Sequence, residues 1–139
     1  MISVRAATVN DITTLQSLFL QLGYQTSCEQ IETRLKQGSD NLCTLVAVSG
    51  EIVCGVIVIH FIVPVHEEGL WGMISALVID ESYRGEGIGQ KLLAEAELVA
   101  QGKMCTQIEL SSSKARIQAH KFYERHGYTE VRKRFLKQL

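Results

Sequence analysis

Met73-Ile74-Ser75-Ala76-Leu77-Val78-Ile79-Asp80-Glu81-Ser82-Tyr83-Arg84-Gly85-Glu86-Gly87-Ile88-Gly89 is the stretch from which the rest of the chain can be read. Its apolar first half predicts a strand, and three glycines in five residues predict a turn after it. Beyond the turn, Ile88, Leu92, Leu93, Ala96, Val99 and Ala100 recur at helical spacing, with Gln90, Lys91, Glu95, Glu97 and Gln101 on the other side. The glycines therefore open an amphipathic helix. The first N–H groups of a helix have no partner within it, and the aligned peptide dipoles leave roughly half a positive charge there. With no Cβ atoms in the way, a phosphate or pyrophosphate can rest directly on those N–H groups, and Arg84 adds charge at the rim. A merely tight strand-to-helix connection is the plainer reading of the same glycines. The pattern GxxxxGK[ST] is absent, and GxGxxG read from Gly85 fails at Gln90.

Arg84-x-x-Gly87-x-Gly89 directly after a hydrophobic strand resembles the [QR]xxGx[GA] motif of the GNAT family of N-acetyltransferases. In that family the loop holds the pyrophosphate of acetyl-CoA. The resemblance thus implies a CoA thioester as ligand, with Arg84, Gly85, Glu86, Gly87, Ile88 and Gly89 at the pyrophosphate and Leu77, Val78 and Ile79 along the pantetheine arm.

A second segment, Ala119-His120-Lys121-Phe122-Tyr123-Glu124-Arg125-His126-Gly127-Tyr128, resembles the AxxFYxxxGF segment of the same family. There the tyrosine hydroxyl lies near the CoA sulfur, which makes Tyr123 the expected general acid. Taken alone, Phe122 and Tyr123 at helical spacing read as core aromatics. Two motifs in the right order are more specific than either one.

The reaction implied is attack of a neutral amine on the thioester carbonyl, through a tetrahedral intermediate that expels CoA thiolate, with no covalent enzyme intermediate. Deprotonating an aminium of pKa near 10.4 at pH 7 costs about 4.6 kcal/mol, so a base or a desolvating site must assist. Many members of the family carry a glutamate on the central strand; this chain has Ser75 and no acid between Trp71 and Ile79. Glu67, Glu68, His66 or Glu109 can substitute through a water, and so can a local loss of proton affinity in the substrate's own amine. For the growing charge on the carbonyl oxygen, the family implies a main-chain N–H within Leu77, Val78 or Ile79. Arg116 stands where many members have an asparagine, and an arginine there can reach the CoA phosphates. His120 reads as a surface histidine or as a second group facing the same cleft.

Length and composition set the frame for these motifs. A chain of 139 residues, 46% hydrophobic, with one proline and a formal charge of −1, predicts a single globular domain and offers no basic surface for nucleic acid. Cys28, Cys43, Cys54 and Cys105 show no CxxC and no zinc-ligand spacing, so free thiols and no metal are expected. No secretory signal pattern opens the chain, and the uncharged run from Ile52 to His66 is too short to span a bilayer. A cytoplasmic protein without membrane contact is the expectation.

In chain order, Ile2 and Val4 alternate into a strand, and Asn10-Asp11 precede a helix with Ile12, Leu15, Phe19 and Leu22 on one face. Arg5-Ala6-Ala7 with Asp11 also resembles the opening of many family members. Ser27 with Gln30, or Thr26 with Glu29, forms a capping-box pair for a second helix that ends between Gly38 and Asn41. Leu42–Val48 and Ile52–Val63 are rich in β-branched residues and predict a hairpin, stopped by Pro64. The 107–110 stretch predicts a short strand ended by Ser111-Ser112-Ser113, and the 115–126 stretch a helix stopped by Gly127. Tyr128–Leu136 alternates enough to predict a last strand carrying Arg132, Lys133, Arg134 and Lys137.

The order β-α-α-β-β-β-α-β-α-β predicts an α/β (α+β) domain over residues 1–139, with one mixed, mostly antiparallel sheet flanked by helices. It is the element order of the acyl-CoA N-acyltransferase fold. That fold implies that the central strand and the next splay apart, leaving a wedge for the pantetheine. The acceptor expected is a primary amine on a small molecule or peptide, and a homodimer is the family's common state. Acids at Glu29, Glu32, Glu67 and Glu68 suit a cationic acceptor, though a solvated surface explains them equally. The rival reading is a CoA-binding sensor without turnover; a different nucleotide-binding domain is a third.

Overall fold

Strands β1 (Ile2–Ala6), β2 (Leu42–Ser49), β3 (Ile52–Ile62), β4 (Leu70–Ile79) and β5 (Cys105–Leu110) form one sheet in sequence order in the computed structural model. The structure describes residues 1–38, 40–112 and 115–139. The first three pairings are antiparallel and the β4–β5 pairing is parallel. Helices α1 (Ile12–Leu22), α2 (Cys28–Gln37), α3 (Ile88–Gly102) and α4 (Ile117–Arg125) accompany the sheet. The expected fold class is the one observed.

The central strands read as unbroken apolar runs because both faces of the sheet are covered. Ala47, Ile57, Ile59, Phe61 and Ile74 face Leu92, Leu93, Ala96 and Ala100 of α3. Val46, Val48, Val56 and Val78 face Leu15 and Leu18 of α1 and Ile31 of α2. Leu92 is fully buried, and truncating such a side chain to alanine costs about 2–5 kcal/mol.

Local signals set the element ends. Thr8 and Asp11 form a reciprocal capping box on the 3-10 turn Val9–Asp11, so the cap lies earlier than the Asn10-Asp11 pair suggests. Ser27 caps α2 by accepting the Gln30 N–H. At the end of α4, Gly127 takes φ +91°, its N–H donates to the Glu124 carbonyl, and the Tyr128 N–H donates to Tyr123. This is the double bond of a Schellman stop, as the glycine predicts. Helix α4 starts at Ile117 rather than Ala115, and β5 starts at Cys105, two residues before the expected strand. Ser39 and Ser113, expected as breakers, lie outside the described residues.

The last predicted strand is corrected. Tyr128–Leu136 carries no strand pairing; after the half-buried Tyr128 it runs out exposed, with Phe135 at 91% of its free surface. Alternation says which face of a segment is apolar, but a strand also needs a neighbour to complete its ladder.

Two irregularities in β4 position the site. The β4–β5 register ends at Ile74↔Leu110, whereas β4 continues beside β3 to Ile79. From Ser75 onward, the β5-side edge of β4 is therefore unpaired by that strand. It is here that the fold implies a wedge. The second irregularity is a bulge: Val58 pairs with Ala76 and Ile59 with Ile74, which leaves Ser75 as the extra residue.

Candidate active site at the open end of the central strand

The glycine loop is held from three sides. Asp80 donates its N–H to the Cys54 carbonyl at 2.8 Å, and its carboxylate accepts the Ser82 N–H at 3.0 Å, starting the short turn Glu81–Tyr83. Gln21 of α1 reaches the same turn. Arg84 donates Nε–H to the Ile79 carbonyl at 3.1 Å, which anchors its guanidinium at the end of β4.

Gly85 and Gly87 then take φ +84° and +79°. A Cβ at either position would meet open space, so left-handed backbone rather than crowding calls for glycine there. Gly87 is the N-cap of α3 and supplies no side chain to its first N–H groups. Those donors open onto a cavity of about 540 Å³ lined by Arg84, Gly85, Gly87, Gly89, Gln90 and Arg125. Bare helix N–H groups flanked by two arginines suit an anion. At Gly89 the reason differs, because a Cβ there would sit 3.4 Å from Phe122 Cζ, where α3 packs on α4.

A second cavity, of about 510 Å³, lies between the end of β4 and α4. Leu77, Val78, Ile79, Arg84, Arg116 and Tyr123 line it, and Ile79, Arg84, Gly89 and Phe122 belong to both cavities. The structure therefore brings together the expected glycine loop, Arg84, Arg116, the Leu77–Ile79 segment and Tyr123. Burial pushes the Tyr123 hydroxyl above its ordinary pKa, and the nearby Arg116 offsets this in part.

Other expected residues fall elsewhere. Ile88 is 2% exposed and packs in the core, so only its main chain can serve the loop; Glu86 is exposed and lines neither cavity. Arg116 borders the cavity of Tyr123 rather than the one at the helix start. Glu67 and Glu68 sit exposed in the loop before β4 and line neither cavity. Leu77 is seven residues beyond the start of β4, roughly 20 Å away at about 3.3 Å per residue. Beside them, His66 stacks edge-on against Trp71 with ring centres 5.4 Å apart. Glu109 accepts from Gln107 Nε2 at 3.4 Å on β5, and His120 is half-buried on α4. Glu29 lies in the first turn of α2, and Glu32 pairs with Lys36 at 3.6 Å.

Sequence reasoning missed three groups. Gln21 and Arg125 enter through helix packing, which leaves no local signature. His60 of β3, whose Nε2 lies 2.7 Å from Ser75 Oγ, had one visible signal: it is an imidazole in an otherwise apolar strand. Among the described residues, no group of three or more His, Cys, Asp or Glu can hold a metal ion, and no helix is long and apolar enough to cross a membrane.

A family model described as an acetyltransferase (GNAT) domain matches residues 40–130. Over 91 residues the chain is 40% identical to the aminoalkylphosphonate N-acetyltransferase of Salmonella typhimurium, a match that covers 66% of this chain and 58% of that protein. Among solved structures, a transcriptional regulator from Bacillus halodurans superposes with a TM-score of 0.90 at 20% identity, covering 100% of both chains. A GNAT family acetyltransferase from Staphylococcus aureus superposes with a TM-score of 0.83 at 26% identity, over 99% of this chain and 98% of that one.

Proposed function

The chain belongs to the GNAT acetyltransferase family, and from that premise we propose that it transfers the acetyl group of acetyl-CoA to a primary amine by direct attack. One observation carries this reading: an uncapped helix start opened by left-handed glycines, an unpaired strand edge and a half-buried tyrosine line two cavities that share four residues. The helix start, with Arg84 and Arg125, suits the pyrophosphate. Main-chain groups of Leu77–Ile79 suit the pantetheine amides and the carbonyl oxygen as it gains charge.

Tyr123 is the group assigned to the departing sulfur. With its pKa above 10, full proton transfer to a thiolate whose thiol has pKa near 8.5 is uphill by more than about 2 kcal/mol. Its role is therefore chiefly to hold a hydrogen bond on the sulfur as charge develops there. The acceptor class is a primary amine, and the Salmonella relative supports including amines that carry a phosphonate. Glu67 and Glu68 receive no proton-transfer role in this reading, since they lie exposed in the loop before β4 and line neither cavity.

Release of CoA thiol on mixing with acetyl-CoA and a panel of polyamines, amino acids, peptides and aminoalkylphosphonates tests the activity; calorimetry with CoA tests the cofactor site. Binding without thiol release across the panel favours the second reading, a CoA sensor, for which Ser75 in place of an acid is the supporting observation. Free cysteines suit a reducing cytoplasm. The edge position of β5 and the exposed stretch 129–139 support a homodimer, which sedimentation would detect.

A further inference from the structure

We propose that Ser75 and His60 form a proton relay that acts as the general base, drawing the proton from the attacking nitrogen through the serine hydroxyl to imidazole Nε2. This rests on the acetyl-transfer reading above and names the base which that reading lacks.

The geometry starts with the bulge. Pairing of His60 with Met73, and of Phe61 with Gly72, puts His60 and Met73 on the face opposite Phe61, Ile59 and Ile74, which pack on α3. Helices α1 and α2 cover that same face at its Val46, Val56 and Val78 end, as far along β3 as Val58. His60 and Ser75 lie beyond the covered part, and Ser75 is exposed. Because Ser75 is the extra residue of the bulge, its hydroxyl is free of the strict alternation and meets His60 Nε2 at 2.7 Å.

Position along β4 matters equally. Ser75 lies two residues, or roughly 7 Å, before Leu77, which borders the cavity of Tyr123. The strand segment assigned to the thioester carbonyl thus has the hydroxyl of the half-buried Tyr123 at one end and a hydroxyl–imidazole pair at the other. An amine approaching over the uncovered face would meet the pair first.

The surroundings keep the imidazole ready to accept. Its Cα partners are Leu42 on β2 and Met73 on β4, and the titratable group in the same row is Glu109, the partner of Met73 on β5. Burial lowers the His60 pKa below 6.5, with no charged neighbour contributing, so the ring is neutral at neutral pH, and the relay uses the tautomer protonated at Nδ1, whose Nε2 accepts from the Ser75 hydroxyl.

In the step itself, the nitrogen lone pair forms the N–C bond and the carbonyl π pair moves to oxygen. The nitrogen then gives one proton to Ser75 Oγ as Ser75 gives its own to His60 Nε2. Collapse of the intermediate re-forms C=O, breaks C–S and sends the electron pair to sulfur. The imidazolium returns its proton to water, and the thiolate leaves as thiolate or takes a proton. The sum is amine plus acetyl-CoA giving amide plus CoA thiol.

The test measures kcat/KM for an amine of pKa near 10 against pH, for the wild type, His60→Gln, Ser75→Ala and the double variant, with CoA affinity by calorimetry and Tm for each. A neutral imidazole and a neutral amine are both required, so the wild-type slope of log kcat/KM should steepen from one to two below the His60 pKa. In H60Q it should stay at one. At pH 7.5 each single variant should lose about 100-fold, and the double variant no more than either, with CoA affinity and Tm retained. Wild-type turnover with an unchanged slope in H60Q would overturn the relay while leaving acetyl transfer standing. A wild type that binds CoA but acetylates no amine would overturn acetyl transfer itself. Should H60Q lose its fold, full activity and an unchanged profile in S75A alone would still refute the relay.

Discussion

Gln21 bridges the end of α1 and the turn after β4: its Nε2 donates to Asp80 Oδ1 at 2.8 Å, and its Oε1 accepts the Glu81 N–H at 3.0 Å. One amide thereby satisfies a carboxylate and an otherwise orphaned main-chain donor across 59 residues of sequence. The Gln21 bond, then the Ser82 N–H, hold the Asp80 carboxyl below its usual range. Gln21→Ala is expected to lower stability by about 1 kcal/mol and to weaken CoA binding several-fold through loss of loop order. Urea unfolding and calorimetry on one preparation check both, and unchanged CoA affinity would show that the turn holds its shape without the bridge.

A second clamp sits at the other end of α1. Arg5 donates two bonds to Asp11, at 2.8 and 2.9 Å, and the Thr8 N–H adds a third at 2.8 Å. The Arg5 bond, opposed by burial and aided by Thr8, lowers the Asp11 pKa below 3.8. A depressed carboxylate contributes stability in full above its unfolded pKa, near 4, and loses it as pH falls through the folded value. Asp11→Asn should therefore flatten the acid end of the stability curve. Asp11→Ala should cost roughly 2–3 kcal/mol, discounted because Arg5 is half exposed. Thermal unfolding from pH 2 to 7 measures both.

Tyr123→Phe is expected to slow turnover about 10- to 1,000-fold with saturating substrates, without abolishing it. Because burial raises the hydroxyl pKa, the wild-type kcat should show no alkaline fall attributable to Tyr123 below pH 10. A tyrosine-dependent fall near pH 8 or 9, or an unchanged kcat in the variant, would remove Tyr123 from the sulfur.

The loop glycines separate into two kinds. At Gly87, φ of +79° with open space around it predicts a cost from conformation alone. Gly87→Ala should lose about 1–2 kcal/mol, and Gly87→Asn less, since asparagine tolerates left-handed backbone. At Gly89 a methyl group makes only a close contact with Phe122, so Gly89→Ala should keep the fold and can gain up to about 1 kcal/mol of helix propensity. A G89A protein that is as stable as the wild type yet binds CoA poorly would locate the ligand against that residue. Undiminished CoA affinity in both alanine variants would count against the loop as a pyrophosphate seat.

What was legible in the chain was what is local. The apolar run, the glycines and the 3.6-residue period identify β4, its turn and α3, and Gly127 marks the end of α4, because each depends on neighbours in sequence. Pairing is not local. The bulge at Ser75 and the early end of the β4–β5 register come from how strands meet, so the Ser75–His60 contact was invisible although both residues were in view. The missing last strand fails for the same reason, whereas the burial of Ile88 follows from the helical period that the sequence shows.

The two bridges on α1 also divide the cleft into a wall and a door. Asp11 moors one end of α1 to β1 and Gln21 moors the other to the turn, so this helix has no free end to swing. Helix α4 buries none of its residues fully, starts without a side-chain cap, and is pinned near its far end, where Tyr128 donates to Glu97 of α3 at 2.8 Å. Traffic into and out of the cleft should therefore pivot α4 about Tyr128. Its amides would exchange with deuterium ahead of those of α1, and bound CoA would latch them.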